Sequence, residues 1–341
     1  MFTAYIIFII AVALIFDFCN GLNDAANSIA TIVGTRVLTP RIAVLWAAFF
    51  NFIAAFFFGT EVASTIGKGL IAPGFADAHL IFAALVAAIV WTWVCTQKGL
   101  PISVSHALIG SLIGAALVKG GFSALTWSTV ARVAIFIVIA PIMGFVFGWV
   151  LMVMQLWICR NRRPHNVDTV YRVLQLASAA VYSLSHGLND AQKTMGIIVA
   201  LLMSVPAMAH TAHQSGNPNE VAWWIILSCH AAIALGTYLG GWKVVKTLGH
   251  RVTKLEPIGG FAAETSGGLT IIAASVFGIP VSTTHTITGA IFGVGVTKRL
   301  SSVRWSVGID ILTAWILTLP MSAAFAAATY YVLRLIVSFV S

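Results

Sequence analysis

A chain of 341 residues with 59% hydrophobic and only 9% charged residues has too little polar surface to coat a soluble particle, in which about a quarter of residues are charged. Its formal net charge of +9 comes mostly from Lys and Arg that fall between apolar runs, as in a membrane protein setting its orientation and not as in a nucleic-acid-binding surface. The four cysteines form no Cys-x-x-Cys pair, so neither a disulfide framework nor a zinc site is suggested.

Crossing a hydrocarbon core of about 30 Å takes roughly 20 helical residues. In chain order, ten apolar runs approach or exceed that size: 4–34, 42–58, 79–97, 100–118, 129–158, 173–205, 221–241, 258–278, 280–297 and 305–337. The first run has no basic region before it and no small-residue cleavage site after it. Ala4 to Phe18 therefore reads as a mature helix and not as a signal peptide. The first, sixth and last runs are long enough to be tilted, broken or prolonged past the bilayer. If the N-terminus lies outside, the inner loops hold Arg36, Arg41, Lys98, Arg160, Arg162, Arg163, Arg172, Lys243, Lys246, Arg251, Lys254, Lys298, Arg299 and Arg304. The outer loops hold Lys68 and Lys119, and the outer stretch His210 to Glu220 has no Lys or Arg. Both termini are therefore expected outside.

The chain repeats itself. Gly21-Leu22-Asn23-Asp24 returns as Gly187-Leu188-Asn189-Asp190, an offset of 166. Leu100-Pro101-Ile102-Ser103-Val104-Ser105-His106 returns as Ile279-Pro280-Val281-Ser282-Thr283-Thr284-His285, an offset of 179, followed by Gly110 and Gly114 against Gly289 and Gly293. The outer loop near Pro206 to Glu220 accounts for the difference. Trp127 and Pro141 correspond to Trp305 and Pro320. Five runs per half is an odd number, so the second half enters the membrane inverted. That architecture places a transported solute near the midplane, between the halves.

Two motifs carry chemistry. A carboxylate in the middle of a membrane helix is costly unless it is satisfied, and Asp24 and Asp190 occupy equivalent positions. Their neighbours Asn23, Asn27 and Asn189 add hard oxygen ligands suited to a coupling cation. Where the first motif has Asn27, the second has Lys193, preceded by Gln192. An ammonium donates and cannot ligate a cation, so the pair accommodates one mobile cation at most, or couples to protons. In the second motif, proline followed by Ser103 and Ser105, or by Ser282, Thr283 and Thr284, marks a helix start. Helix N-termini attract anions, and two of them related by the repeat suit a tetrahedral oxyanion. His106 and His285 are placed to carry a proton or to bond the anion. Asp17 and Glu264 are candidates for relaying protons, whereas Glu61 and Asp310 are expected near membrane surfaces.

With these residues in hand, the chain resembles the inorganic phosphate transporter (PiT) family, whose signature is Gly-x-Asn-Asp-x-x-Asn once per repeat together with Pro-x-Ser-x-x-His segments. Here they are Gly21 to Asn27, Gly187 to Asp190, Pro101 to His106 and Pro280 to His285. The resemblance implies cation-coupled symport of phosphate, with the Ser and Thr segments holding phosphate and the Asn and Asp motifs holding cations. Ser185 to Lys193 resembles the bacterial Pit branch, which implies H⁺ in preference to Na⁺ and phosphate accepted as a neutral metal complex. Sulfate permeases share the family. A passive anion channel gives no reason for paired intramembrane carboxylates. An intramembrane hydrolase is disfavoured because Ser105 and His106 are adjacent and no Gly-x-Ser-x-Gly is present.

The expected fold is an all-α polytopic membrane protein of two inverted-topology repeats, each of about five transmembrane segments, with broken or re-entrant helices at the midplane. The first repeat spans 1–158, a basic cytoplasmic linker 159–172 and the second repeat 173–341. The expected protein is not an enzyme. It uses no cofactor and no structural metal, and it lies in the inner membrane. Its partners are the lipid bilayer, a small inorganic anion and a cation (H⁺ or Na⁺, or a divalent metal travelling with phosphate). Nucleic acid is not among them, and a homodimer is allowed.

Overall fold

A computed structural model of the chain describes residues 2–57, 59–214 and 217–340. The side chain of Lys68 lies outside the described residues, as do Ser215 and Gly216 within the predicted polar loop. Twelve helices follow in order among the described residues: α1 (Phe2–Gly34), α2 (Pro40–Ile53), α3 (Glu61–Gly69), α4 (Ala78–Lys98), α5 (Val104–Gly120), α6 (Trp127–Cys159), α7 (Pro164–Met203), α8 (Trp223–Leu239), α9 (Trp242–Lys246), α10 (Pro257–Val276), α11 (Thr283–Val296) and α12 (Trp305–Val340). Each predicted apolar run falls on a helix of its own. The basic stretch 159–172 is a turn at 160–163 followed by the opening turns of α7. One departure from an all-helical chain is a small antiparallel pair, β1 (His213–Gln214) with β2 (Asn217–Val221), in the loop between α7 and α8.

Among the described residues, five helices are long and apolar enough to cross a membrane: α1, α4, α5, α6 and α12. Two further spans are bent. The chain turns through 83° between Pro40–Phe56 and Glu61–Gly67, and through 62° between Trp223–Leu239 and Trp242–Gly249. The short helices α3 and α9 are the bent ends of these spans, and they occupy matching places in the two halves.

The halves mirror each other contact by contact. Helices α4 and α5 form a hairpin closed at its base by the Asp77–Lys119 ion pair, and α10 and α11 form another, closed by Glu256–Lys298 at 2.7 Å. The pairs are related by the offset of 179. The base of the first hairpin lies at the N-terminal end of α1, where Tyr5 meets His79 and Phe82. The base of the second lies at the N-terminal end of α7, where Tyr171 meets Phe261. The C-terminal end of α1 adjoins the N-terminal end of α7, because Thr35 Oγ1 donates to Gln175 Oε1 at 2.8 Å and Arg172 Nη1 to the Arg36 carbonyl at 3.1 Å. The two hairpins therefore insert from opposite faces, as inverted repeats require.

Packing crosses between the halves. Helix α5 seats on α12, and α11 on α6. Glycine makes these crossings close. A Cβ on Gly114 would lie 2.0 Å from the Ala323 carbonyl oxygen, and one on Gly293 2.1 Å from that of Phe145. Small residues allow this approach, which drives helix association where lipid offers no hydrophobic gain. Gly21 and Gly187, the first residues of the duplicated motif, do the same for α1 on α8 and α7 on α2.

Candidate functional site

The second helix of each hairpin begins at the centre of the molecule. Gly99 and Gly278 end the first helices with φ of +70° and +65°, left-handed values that favour glycine. The chain then runs non-helically through 100–103 and 279–282, where Pro101 and Pro280 donate no N–H and disfavour helix at the preceding residue. Ser103 Oγ accepts the His106 N–H, and Ser282 Oγ the His285 N–H, both at 3.2 Å. These are N-caps. They leave α5 and α11 with partially positive N-terminal ends at α1 and α7.

Between those ends lies a closed polar cluster in which no side chain is more than 4% exposed. Asn27 of α1 donates to Thr284 Oγ1 at 2.9 Å and reaches Thr283 Oγ1 at 3.4 Å. Thr283 Oγ1 stands 3.3 Å from Asp24 Oδ2 and 3.2 Å from Asp190 Oδ2, with one proton to give to either. Thr284 Oγ1 reaches the Ile102 carbonyl at 3.0 Å and so bonds the tips of the two hairpins together. Lys193 donates to Asp190 Oδ1 and to Ser105 Oγ, both at 2.5 Å, and to the Val281 carbonyl at 2.9 Å. All three ammonium protons are thereby used, which a buried charge requires.

The two halves of the cluster correspond residue by residue. Asn27 bonded to Thr284 matches Lys193 bonded to Ser105. Asn23 donating to Thr96 Oγ1 at 2.7 Å matches Asn189 donating to Ser275 Oγ at 2.8 Å. The unequal pairs are Asn27 with Lys193, Asn20 with His186, and Val104 with Thr283. Pairing of the duplicated motifs does not single out His186, although its place four residues before Asp190 puts it on the same helix face. Its Nε2 lies 3.3 Å from Asp190 Oδ2 and 3.9 Å from Asp24 Oδ2, and its Nδ1 is 3.1 Å from Asn51 Oδ1.

The cluster has more acceptors than donors. The Oδ1 atoms of Asn23, Asn27 and Asn189 are buried without a hydrogen-bond partner, as is His186 Nε2. Asp24, His186 and Asp190 bring ligand atoms within 4.8 Å of one another. Two carboxylates and an imidazole with spare amide oxygens fit a cation, monovalent or divalent.

The remaining predicted residues stand around this centre. Ser103 and Ser282 cap helices. His106 and His285 lie edge to face at 4.5 Å, and His285 stacks on Trp315 at 3.6 Å. Gln192 Oε1 accepts the N–H groups of Val62 and Ala63, at 2.9 and 3.3 Å, so it holds the start of α3. Glu264 is apart from the cluster. It accepts from Thr31 Oγ1 at 2.6 Å and Gln175 Nε2 at 2.9 Å on one oxygen, and from Ser178 Oγ at 2.5 Å on the other. On the α3 side, a cavity of about 180 Å³ lined by Gly59, Glu61, Leu188, Gln192, Ser275 and Val276 adjoins Asn189.

Comparison with known proteins places this architecture. Residues 20–326 match the phosphate transporter family. A Rhizobium meliloti (strain 1021) protein named probable low-affinity inorganic phosphate transporter is 52% identical over 96% of each chain. One of the same name from Bacillus subtilis (strain 168) is 39% identical over 97% of each. A solved structure named as the sodium-dependent phosphate transporter superposes with a TM-score of 0.85 at 28% identity, over 98% of this chain and all of that one.

Proposed function

The chain belongs to the phosphate transporter family, and from that premise we propose that it is a secondary active symporter moving inorganic phosphate into the cell with protons as the coupling cation. We propose further that phosphate enters as its neutral complex with a divalent metal. The observation that carries this reading is the cluster itself, in which two carboxylates, an imidazole and orphaned amide oxygens face the N-terminal ends of α5 and α11.

Charge balance favours the neutral complex. Asp24 and Asp190 bring two negative charges, Lys193 one positive charge, and a proton on His186 a second. A metal hydrogen phosphate adds no net charge to that balanced site. A bare dianion leaves an uncompensated charge in a buried place, which is expensive. In this reading Asp24 and Asp190 hold the metal, the protonated His186 pairs with them, and Asn23, Asn27 and Asn189 supply further oxygens. Ser105, Thr283 and Thr284, with the helix N–H groups that Ser103 and Ser282 pre-organise, hold the phosphate oxygens. Lys193 stands where a second cation would sit in a symmetric site, which supports protons over sodium. The halves, residues 1–158 and 173–341, rock about the site. The basic turns face the cytoplasm, and both termini lie outside the inner membrane.

Sodium coupling is a second reading, favoured by the sodium dependence in the name of the solved relative. Phosphate uptake into proteoliposomes separates the two. We expect accumulation under an imposed pH gradient without sodium, stimulated by Mg²⁺ and suppressed by a chelator. Accumulation driven by a sodium gradient alone overturns the proton reading. Uptake indifferent to the chelator overturns the metal complex, and no response to either gradient overturns symport.

A further inference from the structure

We propose that Asp17 is the residue that takes up the coupling proton, at a site separate from the one that holds phosphate. The inference rests on the proton-coupled reading above.

Asp17 lies on α1, seven residues before Asp24 and hence about 10 Å along the helix toward its N-terminal end. It is completely buried, and neither carboxylate oxygen has a hydrogen-bond partner. The side chains of Asn20 and Thr194 lie beside it. Asn20 Oδ1 and Thr194 Oγ1 are themselves buried and without partners. A carboxylate buried here has no cation to pair with and no solvent, only the neutral Thr194 and Asn20 side chains beside it, which is unfavourable. One added proton resolves the arrangement. The carboxyl O–H then has Asn20 Oδ1 to donate to, which an ionised carboxylate cannot do, whereas the Thr194 hydroxyl can donate to Asp17 in either state.

Glu264 provides the contrast. It is equally buried, yet hydroxyl and amide donors from Thr31, Gln175 and Ser178 reach its two oxygens, so its anion is supplied with hydrogen bonds. The inverted repeat provides a second contrast. The mirror position of Asp17, at the offset of 166, is Ser183, whose hydroxyl donates to the Ala179 carbonyl at 2.8 Å. The fold therefore packs this place without an acid, and the carboxyl of Asp17 is an addition to it.

The ionisable groups facing Asp17 are His186 and Asp190 from α7 and Cys229 from α8. Helix α4 has none between His79 and Cys95. No Lys or Arg pairs with Asp17 among the described residues. Asp17 thus communicates with the phosphate site through charge. At roughly 10 Å and an effective dielectric near 20, neutralising Asp17 tightens about tenfold the binding of any species that brings one net negative charge, as phosphate does when it arrives without its metal. By reciprocity, phosphate bound as an anion makes the proton on Asp17 tighter by the same factor, and phosphate bound as the neutral complex does not.

The test uses the full chain in proteoliposomes, with Asp17→Asn and Asp17→Ser, the latter being the mirror residue. A pH gradient of one unit, acid outside, drives a ratio of about tenfold per coupled proton in the wild type. Both variants are expected to fall to a ratio near one while still exchanging radiolabelled for unlabelled phosphate. Wild-type accumulation in either variant overturns the proposal. So does loss of exchange in a variant that retains the wild-type melting temperature. A second measurement does not depend on transport. Dicyclohexylcarbodiimide, which reacts with protonated carboxyls in apolar surroundings, is expected to label wild-type Asp17 at acid pH and less as pH rises. Absence of the adduct at every pH overturns the proposal. Failure of the wild type to accumulate phosphate under the pH gradient sinks the parent reading instead, and the labelling still decides whether Asp17 holds a proton.

Discussion

The ammonium of Lys193 lies 2.5 Å from the hydroxyl of Ser105, and it thereby ties the middle of α7 to the first turn of α5. Its mirror contact, Asn27 to Thr284, ties α1 to α11 with an uncharged amide. Replacing Lys193 tests what the charge does. Lys193→Met leaves Asp190 buried beside an apolar chain and is expected to cost about 3–5 kcal/mol, the cost of breaking a buried pair. Lys193→Asn restores the symmetry of the two halves. It is expected to transport phosphate only when sodium is supplied, measured as uptake in sodium against choline medium.

The glycines at the helix crossings make a prediction about stability alone. Gly114→Ala and Gly293→Ala each push a methyl group onto a carbonyl oxygen, at 2.0 and 2.1 Å, and backbone must move to make room. Each is expected to lose about 1–3 kcal/mol. Gly69→Ala, whose nearest neighbour would be 3.6 Å away, is expected to stay within about 0.5 kcal/mol of the wild type. Thermal unfolding in detergent reads the difference.

The two hairpin clasps are alike in geometry and unequal in function. Asp77 pairs with Lys119 and also accepts the Leu80 N–H at 2.8 Å, so it caps α4. Glu256 pairs with Lys298 but makes no such cap on α10. Asp77→Ala is expected to lose about 1 kcal/mol for the cap beyond the small value of a half-exposed pair. Glu256→Ala is expected to change the melting temperature less. Equal shifts contradict this account.

The pocket around Glu264 has an apolar mirror. Thr31, Thr35, Gln175, Ser178 and Glu264 correspond to Ile197, Leu201, Ile9, Val12 and Leu85, all of them buried. Glu264→Leu alone strands the Thr31 and Gln175 donors, whereas Ser178 keeps the Gln175 carbonyl at 3.2 Å, and is expected to cost about 1–3 kcal/mol for each donor left unsatisfied. Substituting all five by their mirror residues is expected to recover most of that stability in thermal unfolding and still to reduce phosphate uptake.

The sequence makes the helices legible because lipid imposes one rule on every span, which is about 20 apolar residues with internal hydrogen bonds. Duplication makes the motifs legible, since chance does not repeat Gly-Leu-Asn-Asp and Pro-x-Ser-x-x-His in the same order. Three features stay hidden for physical reasons. The clasps Asp77–Lys119 and Glu256–Lys298 obey the same offset of 179, yet a charge count assigns Lys119 to a loop and does not reveal that α4 and α5 turn back together. The short helices α3 and α9 carry too few residues for a periodic signal. The use of Ser105 as a partner for Lys193, and of Ser103 and Ser282 as caps, depends on distances between segments far apart in the chain. His186 is visible one helical turn before Asp190 but lacks a counterpart, because its mirror residue is Asn20.

The exchange of partners between the halves has a consequence for how the protein is made. Helix α5 presents Gly110 and Gly114 to α12, whose contacting residues Leu319, Ser322 and Ala323 are synthesised only after the whole of the intervening chain. Until they arrive, the first hairpin has its own clasp but no seat, and its glycine face is turned to lipid or to the insertion machinery. Completion of the first half is thus timed by synthesis of α12. A chain divided at the turn 160–163 yields two fragments that each lack the other's groove, and co-expression, not separate production, is the condition under which either reaches its native packing.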